Sequence, residues 1–347
     1  MLAAPGMEDA MSTWCRFLAL ILLLVLPLAS PARSGEAVRW KFATLAPEGI
    51  GWAKHIREFV LPFMDEATEG TLSVKVFWGG VLGDDEEAIA KMKAKVLEGA
   101  GLTGQGATML CPEFAVVELP FLFRDYGEVD FIRERMVKTF DGLMAQNGFY
   151  LLSWNDQDFD QVYSTRWPMT SLEQFAKARF ITWYGPLEES LLKALGADPL
   201  AVDVPDVSAS VRQDRADTAI GPALWVVGAQ MYSVLKFVNP MKIRYSPAII
   251  VVNLDAWERL PAGHRARIEA GRLDLNRKYC GEIRKDNEKC LEAMLQYGLS
   301  IVSTPPAEME KIRARALTVW DANADKLYPR STLDEVLGHL EQYRAEK

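Results

Sequence analysis

The chain predicts an α/β fold in two lobes with one long helix spanning both, and three observations carry that expectation. Strand-like and helix-like stretches alternate from Val38 to Trp154, the order that builds a largely parallel sheet flanked by helices. The chain has 347 residues. Once a leader is set aside, ~100–150 residues per domain makes two lobes the natural division. From His264 to Tyr297, Ile268, Leu273, Leu275, Tyr279, Ile283, Leu291 and Met294 fall at roughly helical spacing. A helix of that length spans about 50 Å, longer than one lobe is wide.

The leader is residues 1–36. Met11 opens a stretch with Arg16 as its positive end, a short apolar run from Phe17 to Leu26, and small residues at Ala29-Ser30-Pro31-Ala32 and again near Gly35. That run falls short of the ~20 residues a spanning helix needs and reads as a secretory signal. Cys15 precedes the apolar run, so it is not placed as a lipid-carrying cysteine. Removing residues 1–36 takes away Arg16, Arg33, Glu8, Asp9 and Glu36, which changes the net charge from −8 to −7. A mildly acidic chain without a basic run argues against nucleic acid or anionic membrane as partner. The remaining cysteines are Cys111, Cys280 and Cys290; the last two lie ten residues apart in one helix, about 15 Å, too far for a disulfide.

Val38 to Leu45 alternates as a strand and Ala46-Pro47-Glu48-Gly49 breaks it. Ile50 to Glu69 has helical spacing, Leu72 to Phe77 is a second strand, and Asp84-Asp85 caps a helix through Leu97. Gly99 to Thr103 fits a short strand that opens onto a glycine-rich loop. Glu113 to Tyr126 (EFAVVELPFLFRDY) reads as a buried strand that turns or crosses at Pro120, which lacks an amide donor and has a fixed φ. Helix Glu128 to Gln146 and strand Phe149 to Trp154 follow. Asp156 to Asp160 is polar and unpatterned, a hinge candidate. The second lobe alternates short strands and helices, including Arg179 to Trp183, Glu188 to Leu195, Asp206 to Gln213 and Ala223 to Val234, before Pro240 to Val252 returns as strands. The tail from Ala307 to Glu346 is helical. The expected division is lobe I at 37–157 with 246–262, lobe II at 158–245, the long helix at 263–300 and the tail at 301–347.

Catalytic sets are poorly represented. His55, His264 and His339 sit on separate amphipathic helices as solvated or core-edge residues, none with a metal-ligand neighbour of the right type at i+3 or i+4; neither G-x-S-x-G nor H-E-x-x-H occurs. Gly99-Ala-Gly101-Leu-Thr-Gly104 matches G-x-G-x-x-G, but a helix precedes it and a loop is expected after it, so tight turns at a cleft explain the glycines. Neither a metal nor a cofactor is expected. The excess is in aromatics: ten tryptophans, with Trp78, Trp154, Trp183, Tyr184 and Trp225 at expected strand ends or loop starts. Ligands bind beyond the carboxyl ends of strands in open α/β sheets, where such rings wall a pocket.

The segments FATLAPEGIGWA, VKVFWGGVLGDDEEAIAKM, PEFAVVELPFLFRDY, TRWPMTSLEQF, SLLKALGADP and RADTAIGPALWVVGAQMYSVLKFVN, followed by YSPAIIVVNLDAWERLPAGHRARIEAG and the long helix, occur in an order that resembles the DctP-type solute-binding subunits of TRAP transporters. The likeness spans about residues 38 to 340. It implies a periplasmic-binding-protein-like clamshell with mixed sheets that captures a small molecule in the periplasm and delivers it to membrane permease subunits. Most members of that family clamp a carboxylate with an arginine in the strand before the KALGA helix. Here that position is Ile181, with Arg179 two residues earlier on the same strand face. A second basic position, after a W-x-N-G-F segment, falls near Asp160 in WNDQDFDQV. A buried carboxylate without a partner costs several kcal/mol. The expected ligand is therefore apolar or amphipathic, held by Trp183, Tyr184 and Trp225, or cationic, meeting Asp156 or Asp160. Glu48, Trp78, Gln105, Trp154, Arg179, Ile181 and Pro222 complete the candidate ligand set. Some branches of the family imply a helical-repeat partner protein, and this chain resembles them in lacking the arginine. The competing readings are a ligand-responsive interaction protein and an extracytoplasmic enzyme using Asp156, Asp158 or Asp160 as acid or base.

Overall fold

The computed structural model describes residues 38–347, so the secretory signal and Cys15 lie outside the described residues. The chain begins with β1 (Val38–Thr44) and enters a helical stretch made of α1 (Gly51–His55), a π-helical turn (Ile56–Val60) and α2 (Leu61–Ala67). Next come β2 (Leu72–Phe77), α3 (Asp85–Lys93), β3 (Gly99–Thr103) and α4 (Gly104–Leu110). Asp84 and Glu87 form a capping box at the start of α3, as the paired aspartates of the sequence suggest. β1 runs parallel to β2 and to β3, which needs a helical crossover on each side, and α1–α2 and α3 supply them.

Residues 112–118 are not a strand. They form a 3-10 helix (Pro112–Glu118), buried from Phe114 onward, and the chain turns after Pro120 through Phe121 at φ 54°. The apolar run is continuous because every side of that turn is covered, a pattern that buried strands and short buried helices share. The backbone after Pro120 is tied to the rest of the molecule by Phe121 N, which donates to Ile243 O at 3.0 Å, and by Trp320 Nε1, which donates to Pro120 O at 3.0 Å.

α5 (Tyr126–Gln146) leads to β4 (Phe149–Ser164), a 16-residue strand. The polar run at 156–160 is thus part of a continuous strand rather than an unpatterned connection. Asp156 and Asp160 are fully buried and Asp158 nearly so. After β4 come α6 (Leu172–Lys177), β5 (Ile181–Thr182), α7 (Pro186–Ala194), β6 (Leu200–Ala201), α8 (Val207–Arg212), β7 (Thr218–Gly221) and α9 (Ala223–Gly228). Then β8 (Phe237–Asn253) pairs antiparallel with β4 along its length, with register shifts at Leu151/Ser153, Asp156/Asp158 and Asp160/Val162. Such bulges bend a strand and increase its local twist. The main sheet is mixed, ordered β2-β1-β3-β8-β4-β7, while β5 and β6 form a separate parallel pair.

α10 (Leu254–Glu258) precedes α11 (Ala262–Gln296), the 35-residue helix. Its Ile268, Leu275, Tyr279 and Ile283 pack into the core beneath β1 and α1, and Met294 packs into a second core with Val207, Ala219 and Val226. The helix therefore does span both ends of the molecule. β9 (Ser300–Ile301) adds to β8, and the helical tail consists of α12 (Pro306–Asn323) and α13 (Arg330–Ala345). Cys111, Cys280 and Cys290 are free. No helix among the described residues is long and apolar enough to cross a membrane.

Candidate ligand-binding cleft

A cavity of about 290 Å³ opens where the carboxyl ends of β1 and β3 meet the segments after β5 and β7. In sheets of this kind a crevice at that position is the expected place for a ligand. One wall is Trp183 and Trp225, whose rings stack with centroids 4.2 Å apart. Trp225 lies against the backbone of Gly221, where an added Cβ would come within 2.7 Å of the ring. The opposite wall comes from Pro47, Ile50 and Trp52. Gly51, at φ +49°, brings the start of α1 against Leu224 of α9; a Cβ there would meet the leucine at 2.6 Å.

Two charged side chains line the cavity, Asp160 from β4 and Arg244 from β8. Both are buried. Arg244 Nε donates to Asp160 Oδ2 at 2.6 Å, and its Nη2 lies 2.6 Å from Glu188 Oε2. Ser246 Oγ also donates to Asp160 Oδ2, and Thr182 Oγ1 donates to Glu188 Oε1. The guanidinium sits 4.1 Å over the ring of Tyr184. The Tyr184 hydroxyl accepts from Gln157 Nε2 at 2.6 Å and from Gly104 N at 3.2 Å.

Burial raises the pKa of Asp160 and of Glu188, against the opposing pull of Arg244 in each case. Burial works against the charge on Arg244, yet Glu188 and Asp160 hold its pKa above the ordinary guanidinium value. Glu118, close enough to feel this group, is pushed up to about 8, mainly by burial. Its carboxylate lies where a Cβ on Gly104 would stand, 2.5 Å from Oε1. A helix does follow the G-x-G-x-x-G stretch, against the sequence expectation of a loop. Its first turn faces Glu118 and the Tyr184 hydroxyl, an acidic setting unsuited to a phosphate.

The structure gathers Asp160, Trp183, Tyr184, Pro222 and Trp225 on this cavity. Gln105 lines a second cavity that shares Leu45, Thr103, Trp183 and Val204 with the first. The other expected residues lie elsewhere. Trp154 is core, packed on Phe114 and Phe140 at 5.1 and 5.5 Å. Asp156 is held in a buried network by Arg133, Tyr245 and Arg284; its pKa is lowered because the two arginines outweigh the effect of burial. Arg179 pairs with Asp214 and Asp217 at the surface. Ile181 is buried in the core with Val207 and Ala219. Glu48 pairs with Arg57, whose guanidinium lies 4.7 Å over Trp78, away from the cavity. His55 is buried rather than solvated or at a core edge, its Nε2 2.8 Å from Asp286 Oδ2.

Sequence reasoning missed Arg244, Gln157, Glu188 and Trp52. Arg244 had a signal: it is the lone charge in the stretch from Ile243 to Asn253. A guanidinium is therefore present in the cleft, on a different strand from the position the family resemblance pointed to, and already paired with two acids.

The crevice lies at the carboxyl ends of the strands and is walled mainly by apolar and aromatic side chains. The family model for bacterial extracellular solute-binding proteins, family 7 (DctP), matches residues 42–327, and the chain belongs to that family. Its relatives include the C4-dicarboxylate-binding periplasmic protein DctP of Rhodobacter capsulatus, 23% identical over 304 residues (86% of this chain, 87% of that protein). Another is the 2,3-diketo-L-gulonate-binding periplasmic protein of Escherichia coli, 20% identical over 248 residues (69% and 74%). The fold also matches the sugar acid binding protein of Advenella mimigardefordensis in complex with galactonate, with TM-score 0.81 and 19% identity over 88% of this chain and 99% of that one. A TRAP periplasmic solute-binding protein from Sulfurospirillum deleyianum with bound succinate matches with TM-score 0.78 and 19% identity (87% and 99%).

Proposed function

We propose that this protein is the extracytoplasmic receptor of a TRAP-type secondary transporter and that its ligand is apolar or amphipathic rather than a simple carboxylate. It retains that ligand without transforming it and hands it to membrane permease subunits. The observation that carries the ligand class is Arg244. The relatives named for dicarboxylates or sugar acids take anions; here the one guanidinium on the cavity is bound to Asp160 and Glu188. A carboxylate entering the site would have to displace one of these buried acids and leave it without its partner, which costs several kcal/mol.

The lobes meet where β4 and β8 cross from one end of the molecule to the other. We place the division at 157/158 and 245/246, because the bulge between Asp156 and Asp158 falls opposite Ser246 and Pro247. A ligand touching both walls favours the shut state by its difference in affinity for the two states.

Isothermal calorimetry tests the ligand class. Succinate and sugar acids give no binding heat, whereas the ligand released from protein purified from its native host does. Tight binding of a simple dicarboxylate contradicts the proposal. With the released ligand, Trp183→Ala weakens binding by ~1–3 kcal/mol, the value of one large buried aromatic wall, and leaves the unfolding midpoint nearly unchanged.

A further inference from the structure

The geometry points to a neutral amide, a lactam or a carboxamide, as the head group of the ligand, its C=O accepting from Asn155 Nδ2 and its N–H donating to Gln157 Oε1. This rests on the cavity being the receptor site proposed above and adds the chemistry that reads the ligand's polar end. Both residues line the cavity and both come from β4. Their amides are oriented by the groups around them. Asn276 Nδ2 donates to Trp154 O, a carbonyl that only accepts, and the same nitrogen donates to Asn155 Oδ1 at 3.0 Å. Ser153 Oγ donates to that oxygen as well, at 2.6 Å. Asn155 therefore turns its nitrogen the other way. Ala248, its cross-strand neighbour on β8, is half-buried and lines the cavity, so this face of the strand pair opens there. In Gln157, Nε2 donates to Pro247 O at 2.8 Å and to the Tyr184 hydroxyl, which leaves Oε1. Asn155 Nδ2 and Gln157 Oε1 have no partner among the described residues, and neither is sealed from water.

One free donor and one free acceptor on uncharged side chains select a head group that returns one of each. An amide does so. A carboxylate meets Asn155 but sets its own lone pairs against the Gln157 oxygen; an ammonium meets Gln157 and leaves the Asn155 nitrogen without an acceptor. A polar atom dehydrated by the ligand and left unpaired costs ~1–3 kcal/mol, so either mismatch is penalised. Alternate residues of a strand stand about 7 Å apart, which places the two contacts on two atoms of the ligand rather than on one hydroxyl. The register shift between Asp156 and Asp158 falls between the two residues, and such a bulge re-aims the side chains beside it. The ligand's apolar remainder lies against the stacked Trp183 and Trp225.

The test uses three probes of one shape titrated into the intact protein by tryptophan fluorescence and calorimetry: 3-phenylpropionamide, 4-phenyl-2-butanone and 3-phenylpropionate. They differ only in the amino group, methyl group or oxygen carried by the carbonyl carbon. The amide binds at least tenfold tighter than the ketone, which lacks the N–H, because a site built around a hydrogen bond rejects the analogue that cannot make it. The carboxylate binds weakest. Gln157→Met removes the amide's advantage over the ketone, and Asn155→Asp, which keeps the oxygen facing Asn276 and replaces the free donor, weakens amide and ketone together. An amide advantage that survives Gln157→Met overturns the inference. The wild-type ranking decides the matter by itself if the variants do not fold. Ketone binding with no preference for the amide removes only the head-group assignment and leaves the apolar receptor standing. Carboxylate binding equal to or tighter than amide binding overturns the head group and the proposed ligand class together, and failure of all three probes overturns the cavity as the receptor site.

Discussion

At the residue scale, the cleft is organised by Arg244. Its Nε and Nη2 hold Asp160 and Glu188 in place, and its face rests on Tyr184. Removing one partner of a buried ionic group leaves charge uncompensated and costs ~3–5 kcal/mol. Arg244→Met should lower urea-unfolding stability by about that amount. Combining it with Asp160→Asn and Glu188→Gln should recover part of the loss, because no orphaned charge then remains. Glu118 gives a prediction in pH. Burial raises its folded-state pKa from the ordinary 4.5 to about 8, and Asp158 rises likewise from 3.8 to about 7. Between those values the folded state keeps protons that the unfolded chain releases, so stability from these groups is complete at low pH and is lost as pH climbs through 7 to 8. The melting temperature should fall between pH 5 and pH 8.5. Glu118→Gln, which keeps the side chain neutral at every pH, should flatten that slope; an unchanged slope contradicts the assignment.

At the element scale, β4 and α11 belong together. Along its length the helix stitches polar side chains to the strand: Arg272 Nη1 donates to Leu151 O at 2.7 Å, Asn276 Nδ2 to Asn155 Oδ1 at 3.0 Å, Arg284 Nε to Asp156 Oδ2 at 2.7 Å and Asn287 Nδ2 to Gln157 O at 2.9 Å. Asn287 Oδ1 also accepts from Leu224 N at 2.8 Å, at the start of the helix that carries Trp225. Asn287→Ala leaves a buried amide without an acceptor, a loss of ~1–3 kcal/mol. Chemical denaturation should record it, and ligand affinity should fall as α9 loosens. The long helix itself was legible from apolar periodicity to within two residues at its start and one at its end. Its polar seam was not, because Arg272, Asn276, Arg284 and Asn287 carry the signature of a solvated face until a strand full of buried acids is placed against them. For the same reason Asp156 to Asp160 resembled a loop: acids in a strand look unpatterned when their partners, Arg133, Arg244 and Arg284, are distant in sequence. Trp183 and Trp225, which follow β5 and β7, do line the cavity, as their expected places beyond strand ends suggested. Trp154 failed that reasoning because its strand continues for ten more residues, which turns an expected strand end into core.

At the scale of the whole molecule, a pair of long bent strands and a long helix connect two hydrophobic cores, with an aromatic cavity between the segments that each end contributes. The chain belongs to the family 7 (DctP) bacterial extracellular solute-binding proteins; under the proposal above, the interior of the cavity determines what is received. Relatives named for acids share the frame, and the charge in this cleft is satisfied from within by Asp160 and Glu188. The most decisive observation is a crystal structure of the protein carrying the ligand that accompanies it from its native host. The ligand should lie with its apolar body against Trp183 and Trp225, with Arg244 still bound to Asp160 and Glu188. A carboxylate resting on Arg244, with Asp160 or Glu188 swung away, would contradict this description of the cleft.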